Sequence, residues 1–293
     1  MTADPFVTHR GLLFTVAYEM LGSAADAEDV VQETWLKWSR VDQSEIADPR
    51  AYLVRVVTRA ALDQIRTLSR RREDYVGQWL PEPLLTSPDV ADDVDLADSL
   101  SMAMLLVLDT LTPTQRAVFV LHDVFGFDYE ELATAVDKTP AAVRQIAHRA
   151  RTHVAERRPQ GVTSRADAES ALSAFQRALD TGEFQELLDI LAPDVVIVGD
   201  GGGIKQAIPN PVSGVDKVSR LLRAGLATLG GFGAALEVES VLVNGWPALL
   251  IRLDGELDGI ISLRVDDGLV SGIYAVRNPE KLSRIVREVE VSR

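Results

Sequence analysis

The sequence predicts a multidomain fold in which two all-α modules precede one α+β module. Its 293 residues exceed the usual size of a single domain, roughly 100 to 200 residues, so two or three cores are expected. Apolar residues recur at helical spacing through residues 6–72 and again from about residue 96 to 154. Beyond residue 160, helical patterns give way to the alternating apolar runs of hairpin-linked strands.

The first module, residues 1–74, is predicted to contain three helices. The first helical pattern ends at Gly22, and Ser23 opens the second helix with a capping box. Asp48 and Pro49 supply an N-cap and a first-turn proline for a third helix that extends to about residue 69. Arginines at four-, seven- and four-residue intervals form one outward stripe on this third helix.

Residues 75–97 are predicted to be an acidic linker. Its prolines and its few apolar residues do not support a helix before about residue 96. Trp79, Leu80 and Leu84 are apolar nevertheless, and exposing them would forfeit several kcal/mol of burial. We therefore hypothesise that the third module docks on this linker, through residues 200–205 and 278–282.

The second module, residues 98–158, carries a helix-turn-helix pattern. Gly126 breaks the chain before a short helix at about 129–135, and a turn at 136–139 leads to Pro140. A last helix then continues to about Val154. A short helix, a tight turn and a longer Arg-bearing helix are typical of a DNA-binding unit.

The distribution of charge along the chain favours a DNA partner, although the net charge of the whole chain does not. A net charge of −14 argues against a nucleic-acid partner. However, residues 50–73 contain seven Arg against two acids, and residues 138–158 contain six basic residues against one acid. Two basic islands separated by an acidic segment predict DNA binding at two places. The alternative for each basic island is a solvated helical face. This alternative is weaker for residues 138–158, where the helix-turn-helix pattern supports DNA binding.

The last helix of the second module separates apolar from polar side chains. Val143, Ile146, Ala147 and Ala150 are predicted to face inward. Arg reads guanine and Gln reads adenine through paired hydrogen bonds in the major groove. The predicted DNA-contacting residues of this helix are Ala142, Arg144, Gln145, His148, Arg149 and Arg151.

The third module, residues 160–293, is predicted to be α+β with a curved antiparallel sheet. Helical patterns at about 165–191 and 215–228 accompany five strand-like runs. The carboxylates Asp194, Asp200, Asp254 and Asp258 lie at strand ends, where solvated turns are the ordinary explanation. We expect no catalysis there, and a pocket that binds a small ligand without reacting remains open.

Composition excludes several kinds of site. The sequence has no Cys, and none of its four His lies beyond His153, so thiolate chemistry and a His cluster in the third module are impossible. No metal and no cofactor are expected. Neither a leader-like N-terminus nor an apolar segment of about 18 residues occurs, so the expected location is cytoplasmic and no membrane partner is expected.

Several motifs resemble bacterial sigma factors. AEDVVQETWLKW (27–38) resembles the region 2 helix that binds the β′ clamp of RNA polymerase, and the segment 48–66 resembles the helices that read the −10 element. Residues 111–151 resemble region 4, which reads −35 DNA and contacts the β flap. YVGQWLPEPL (75–84), DGGG (200–203) and NPEKL (278–282) resemble signatures of extracytoplasmic-function sigma factors with a SnoaL-like, NTF2-like cone domain at the C-terminus.

This resemblance implies a transcription initiation factor and not an enzyme. Its implied partners are core RNA polymerase and promoter DNA, with regulation by the fused domain and without a separate anti-sigma factor. The implied polymerase-binding residues are Asp26, Glu28, Asp29, Val31, Gln32, Glu33 and Leu36. The implied −10 residues are Arg50, Arg55, Arg59, Arg66 and Arg70, and the helix-turn-helix residues above would read −35. Which of Val31, Trp35 and Leu36 face the polymerase remains open.

The same resemblance implies a regulatory set in the linker and the third module. Its members are Trp79, Leu80, Pro81, Asp200, Gly201, Gly202, Gly203, Lys205, Asn278, Pro279, Glu280, Lys281 and Leu282. The family pattern places Lys directly after the glycines, whereas here Ile204 intervenes. A ligand-sensing helix-turn-helix regulator is the alternative, and it has no use for a region 2 block.

Overall fold

The computed structural model describes residues 4–158, 164–231, 235–285 and 288–293, except for the side chains of 69–73 and 226–231. The chain forms two compact units. Unit 1 combines residues 1–74, 92–158 and 290–293. Unit 2 combines residues 75–91 and 159–289, so most of the predicted linker belongs to the same unit as the third module.

Unit 1 begins with three helices, α1 (Pro5–Leu21), α2 (Ala24–Trp38) and α3 (Pro49–Glu73). Gly22 ends α1 in the left-handed region at φ 68°, and the Ser23 hydroxyl accepts a hydrogen bond from Asp26 N at 3.2 Å. The Asp48 carboxylate accepts from Ala51 N at 3.0 Å, as an N-cap does. Helix α3 continues one turn beyond its predicted end.

Two short helices, α4 (Pro88–Asp92) and α5 (Val94–Leu100), follow along the chain. Helix α5 begins close to the predicted resumption of helix at about residue 96, whereas α4 lies inside the predicted linker and corrects the expectation that it lacks helix. Pro88 suits a first helical turn, where no N–H is needed, and the Asp93 carboxylate caps α5 by accepting from Leu96 N at 3.1 Å. Prolines and acids here mark helix starts.

The rest of unit 1 contains the helix-turn-helix. Its helices are α6 (Met102–Asp109), α7 (Pro113–Phe119), a π-helical turn (Val120–Val124), α8 (Tyr129–Val136) and α9 (Pro140–Arg157). The Thr139 hydroxyl begins α9 by accepting from Ala142 N at 3.2 Å. The inner face of α9 is buried as predicted, with Val143, Ala147 and Ala150 at 0% exposure.

Unit 2 is an α+β module built on one six-stranded sheet. Residues 88–91 of α4 belong to this unit, and its further helices are α10 (Arg165–Thr181), α11 (Gln185–Asp189), α12 (Val215–Gly231) and α13 (Pro279–Leu282). Its strands are β1 (Leu191–Asp200), β2 (Val212–Ser213), β3 (Leu236–Val243), β4 (Trp246–Leu253), β5 (Glu256–Asp266) and β6 (Leu269–Val276). Helix α10 covers the sheet through a core that includes Phe175, Leu249 and Ile273.

The sheet is mixed, which corrects the predicted antiparallel arrangement. Its strand order is β2-β1-β6-β5-β4-β3, and β1 runs parallel to β6. Strands β3 to β6 are joined by tight hairpins and are therefore antiparallel. Strand β1 is separated from them by α12, so no hairpin fixes its direction, and the long connection permits a parallel pair.

In the part of the chain that the structure describes, no helix is long and apolar enough to cross a bilayer. No cluster of three or more His, Asp or Glu suited to a metal ion occurs among the described residues either.

Candidate functional site

Helix α2 presents a mixed acidic and apolar face to solvent. Asp29, Gln32, Glu33 and Leu36 have the i, i+3, i+4, i+7 spacing of one helix face, and all four are exposed. Trp35 lies beside them, and Trp35 and Leu36 are 45% and 41% exposed. Large apolar side chains left in solvent beside acidic ones are typical of a surface that binds another protein.

The other residues predicted for this face have structural contacts. Val31 is only 2% exposed, so it belongs to the core and is removed from the predicted polymerase face. Glu28 pairs with Arg10 of α1 at 2.7 Å, and Asp26 accepts from Gln64 Nε2 of α3 at 2.8 Å. These two carboxylates hold α2 against its neighbouring helices, which the helical period alone does not reveal.

Two of the predicted −10 residues on α3 contact the helix-turn-helix part of the same unit. Arg59 Nη2 donates to Thr134 O at 2.8 Å, and Arg59 Nε donates to Ala135 O at 3.4 Å. These carbonyls end α8, where carbonyls lack partners within the helix and the helix dipole favours a cation. The Arg50 guanidinium lies 4.3 Å from the centroid of the Phe127 ring.

Arg55 and Arg66, two further members of the arginine stripe, have local neighbours. Arg55 lies 5.2 Å from the Tyr52 ring, and Arg66 pairs with Asp63 at 3.1 Å at the solvent-exposed surface. Arg70 falls within residues 69–73, outside the side chains that the structure describes. Among the described members, Arg50 and Arg59 contact the helix-turn-helix part, whereas Arg66 faces solvent.

Helix α9 brings the predicted −35 residues to one exposed surface. Arg144, Gln145, His148, Arg149 and Arg151 are exposed, and Ala142 is half-buried in the first turn. Two of these cations have acidic neighbours within unit 1. Arg144 Nη2 lies 3.2 Å from Glu130 Oε1, and Arg151 Nε lies 2.5 Å from Asp123 Oδ1.

In unit 2, the buried carboxylate of Asp200 binds the linker segment. Its Oδ1 accepts from the Tyr75 hydroxyl at 2.6 Å, and its Oδ2 accepts from Leu80 N at 2.9 Å. Lys281 Nζ pairs with Asp200 Oδ2 at 2.6 Å and also donates to Leu80 O. Burial, followed by the hydrogen bond to Asp200, raises the pKa of Tyr75 well above its ordinary value, so this hydroxyl stays protonated and donates.

The aromatic residues of the linker complete this contact. Lys281 Nζ lies 4.3 Å from the centroid of the Trp79 ring, a cation–π distance. Asn278 Nδ2 donates to the Tyr75 hydroxyl at 2.8 Å, and the Asn278 side chain begins α13 by accepting from Glu280 N. Pro279 starts that helix and Leu282 is buried at 3% exposure. The NPEKL segment therefore contacts the linker through its Asn and its Lys.

A second group of contacts holds the following part of the linker against the hairpin between β3 and β4. Leu84 N donates to Asn244 Oδ1 at 2.8 Å, and Gly245 N donates to the Thr86 hydroxyl at 2.9 Å. Leu80 and Leu84 are 0% and 2% exposed, and Pro81 is buried. Tyr75, Thr86 and Asn244 were absent from the predicted site, because their roles depend on pairing between distant residues.

The glycine run is required by close approach of neighbouring atoms. A Cβ at Gly202 would lie 2.4 Å from the Asn278 side chain, and one at Gly201 would lie 2.0 Å from Lys205 O. Gly203 has φ 71°, which favours glycine, and a Cβ there would meet Val76 of the linker at 2.9 Å. These glycines allow the loop to lie against the linker and α13.

Lys205 and Asp258 form an ion pair with each other. Lys205 Nζ lies 2.8 Å from Asp258 Oδ1, and Arg277 Nε lies 2.9 Å from Asp258 Oδ2. Burial by itself would raise the pKa of Asp258, but hydrogen bonds from Arg277 and Lys205 outweigh burial and lower it. The Lys205 ammonium therefore supports the loop, and none of its described contacts reaches the linker.

The other two carboxylates predicted at strand ends, Asp194 and Asp254, do not both lie in turns. Asp194 is an exposed residue within β1. Asp254 has φ 52° in the β4–β5 turn and accepts from Ala235 N at 2.9 Å. Asp200 and Asp258, by contrast, are buried and paired with basic side chains, so the expectation of solvated turns is wrong for these two.

Comparison with known proteins matches both helical modules. The Sigma-70 region 2 model matches residues 6–71, and the Sigma-70, region 4 model matches residues 101–154. The chain is 37% identical to the ECF RNA polymerase sigma factor SigJ of Mycobacterium tuberculosis, over 97% of this chain and 94% of SigJ. It is 32% identical to the probable ECF RNA polymerase sigma factor SigI of the same organism, over 96% of this chain and 94% of SigI.

One solved structure shows the same similarity over nearly the whole chain. The crystal structure of Mycobacterium tuberculosis extracytoplasmic function sigma factor SigJ matches with a TM-score of 0.76 at 35% identity. That match covers 95% of this chain and 97% of the SigJ chain, so it includes both helical modules and the α+β module.

Proposed function

We propose that this chain, which belongs to the extracytoplasmic-function sigma factors, binds core RNA polymerase and directs it to specific promoters. Core RNA polymerase and promoter DNA are accordingly its partners. The observation that carries this proposal is one compact unit that holds both a region 2 module and a helix-turn-helix. A ligand-sensing repressor would have no use for the first of these, so that alternative is not favoured.

Each exposed surface of unit 1 suits one part of this task. The α2 face, with Asp29, Glu33 and Leu36, suits the β′ clamp, because its charge can steer a basic partner and its apolar side chains can anchor it. The arginine stripe of α3 suits the −10 element. The exposed surface of α9 suits the major groove of the −35 element, and the helices beside it would contact the β flap.

The packing within unit 1 supports a closed state of the free chain. Arg59 and Arg50 of the −10 surface are occupied by α8 and by Phe127. A module that reads −10 DNA cannot also hold these cations against the −35 module. We propose that polymerase binding selects an open arrangement in which both surfaces are free, and that the two states differ by the stability of these contacts.

The third module is proposed to regulate the factor by holding the linker. Asp200, Lys281 and Asn278 hold the segment that connects the two helical modules, so a change in their contacts would change the freedom of those modules. We assign no catalytic role to this module, because Asp200 and Asp258 are both engaged by side chains of the protein itself. Regulation from within the chain also makes a separate anti-sigma factor unnecessary. A small ligand that bound the third module would act through the same contacts.

The experiment is run-off transcription with purified core polymerase and a promoter selected from a random library. The full chain is expected to produce a defined transcript, and core polymerase alone is not. Arg144→Ala should weaken the base preference at one −35 position by about 1 to 3 kcal/mol. Arg149 is proposed to contact a phosphate, so Arg149→Ala should weaken binding to all DNA sequences alike. A chain that binds the same DNA and blocks transcription by another sigma factor would instead be a repressor.

A further inference from the structure

The guanidinium of Arg144 is held from the first turn of the preceding helix. Arg144 Nη2 lies 3.2 Å from Glu130 Oε1, and Arg144 Cζ lies 5.6 Å from the centroid of the Tyr129 ring. Glu130 and Tyr129 are adjacent residues of α8, whereas Arg144 lies in the N-terminal half of α9. One carboxylate and one aromatic ring therefore contact the same cation from the same neighbouring helix.

The first turn of α8 is itself fixed by several contacts. The side chain of Asp128 accepts from Glu131 N at 2.8 Å, and the Glu131 side chain accepts from Asp128 N at 3.1 Å, a complete capping box. The Tyr129 ring lies 4.3 Å from the His122 ring, centroid to centroid. His122 Nδ1 in turn lies 2.7 Å from Phe127 O. Glu130 and Tyr129 therefore belong to a helical turn that contacts other than those to Arg144 hold in place.

We propose that Glu130 and Tyr129 are positioning residues that orient Arg144 to read a guanine in the −35 element. This inference rests on the proposed role of Arg144. A guanidinium has five N–H donors in a rigid fork, and Glu130 receives one of them. The other donors remain for the O6 and N7 acceptors of guanine. Restricting the rotamers of a long side chain before binding also reduces the entropy lost on contact.

The stability of the free protein does not explain this arrangement. The Arg144 and Glu130 side chains are 55% and 66% exposed, and ion pairs of this kind contribute little to folding. A carboxylate beside the DNA surface also repels phosphates and so lowers affinity for any sequence. Glu130 is therefore expected to decrease affinity for DNA of any sequence and to increase discrimination between bases at the −35 element. These two effects can be measured separately.

The test uses holoenzyme reconstituted from core polymerase and the full chain. Affinity is measured for a selected promoter and for copies in which each −35 guanine is replaced by adenine. Glu130→Gln should reduce discrimination at one guanine by about 3- to 10-fold, part of the effect of losing a bidentate contact, while affinity for the substituted promoter stays equal or rises. Tyr129→Leu should also reduce discrimination at that guanine, and Tyr129→Phe, which retains the ring, should preserve it.

Two comparisons make the outcome specific. Glu156→Gln removes the same charge from an exposed position in the last turn of α9, and it should leave discrimination unchanged. Unchanged discrimination in Glu130→Gln and Tyr129→Leu, together with its loss in Arg144→Ala, would overturn the positioning role alone. Unchanged discrimination in Arg144→Ala would overturn the proposed −35 contact and the inference that depends on it.

Discussion

Replacing Glu19 by Gln should remove the fall in stability of unit 1 that this buried carboxyl causes between about pH 4.5 and pH 7. Glu19 lies on α1 and is 0% exposed. Its Oε1 accepts from the Ser99 hydroxyl at 2.8 Å, and its Oε2 has no hydrogen-bond partner among the described residues. Arg116 donates to the Glu19 backbone carbonyl at 2.7 Å and pairs with Asp109 at 3.0 Å, and Arg293 is the other cation that acts on Glu19. Glu19 therefore lies where the first helix meets the helices that follow the linker.

The size of the effect follows from the burial of this carboxyl. Burial raises the pKa of Glu19 from 4.5 to about 7, against the smaller opposing effects of Ser99 and Arg116. Between these pH values the unfolded chain binds fewer protons than the folded unit, so stability falls as the pH rises from about 4.5 to 7 and then levels off. Since one pKa unit corresponds to about 1.4 kcal/mol, the loss is about 3 kcal/mol.

The assay is denaturant unfolding of the full chain between pH 5 and pH 8, with hydrogen exchange to follow unit 1 separately. Glu19→Gln retains the acceptor for Ser99 and cannot ionise, so it should be more stable than the wild type at pH 8, by up to about 3 kcal/mol, and nearly equal to it at low pH. Glu45→Gln, a control at an exposed position, should keep the wild-type pH profile. An identical pH slope in Glu19→Gln and the wild type would refute the argument.

Three further predictions address the other surfaces. Asp200→Asn should weaken the ion pair and hydrogen bonds that hold the linker, at a cost of about 2 to 4 kcal/mol, and unchanged hydrogen exchange of residues 75–86 would contradict it. Reversing both Asp29 and Glu33 to Lys should weaken core polymerase binding, most strongly at low salt, without unfolding the chain, and wild-type co-purification would exclude α2 as the clamp-binding helix. Arg59→Ala should accelerate hydrogen exchange at the end of α8, because about 1 to 3 kcal/mol of charged hydrogen bonding is lost, and unchanged protection would show that this contact does not hold the helices together.

Local signals in the sequence predicted the elements well because the interactions behind them are local. Ser23, Asp48 and Thr139 each cap a helix where the sequence indicated, and Gly22 ends α1. The outward surface of α9 also followed from its helical period. Each of these features depends on residues within about four positions of one another, which a single sequence displays directly.

Features that depend on distant residues could not be predicted in the same way. Helical period did not separate Val31, which is buried, from Trp35, which is exposed, because that choice depends on how α2 packs against its neighbours. The parallel pairing of β1 with β6 and the return of the C-terminus to unit 1, where Ser292 N donates to the Thr15 hydroxyl at 3.1 Å, join residues far apart in the chain.

The linker contact could be predicted in part, since the sequence indicated the need for it but not its polar partners. The stranded apolar residues Leu80 and Leu84 indicated that some surface must cover them, and the structure buries both in unit 2. The polar partners of that contact, Tyr75 and Asn244, gave no local signal. Unpaired hydrophobicity therefore indicated that a contact was needed, while the hydrogen bonds that specify it required the fold.

The most direct test of the closed state is a distance measurement between α3 and the helix-turn-helix. The chain has no Cys, so spin labels at Asp63→Cys and Lys138→Cys, both exposed, report one distance. The free chain should give one short, narrow distribution. In the promoter-bound holoenzyme the −10 and −35 elements are several tens of Å apart, at about 3.4 Å per base pair, and the distance should lengthen accordingly. A distribution that stays short in a holoenzyme active in run-off transcription would contradict the proposed opening.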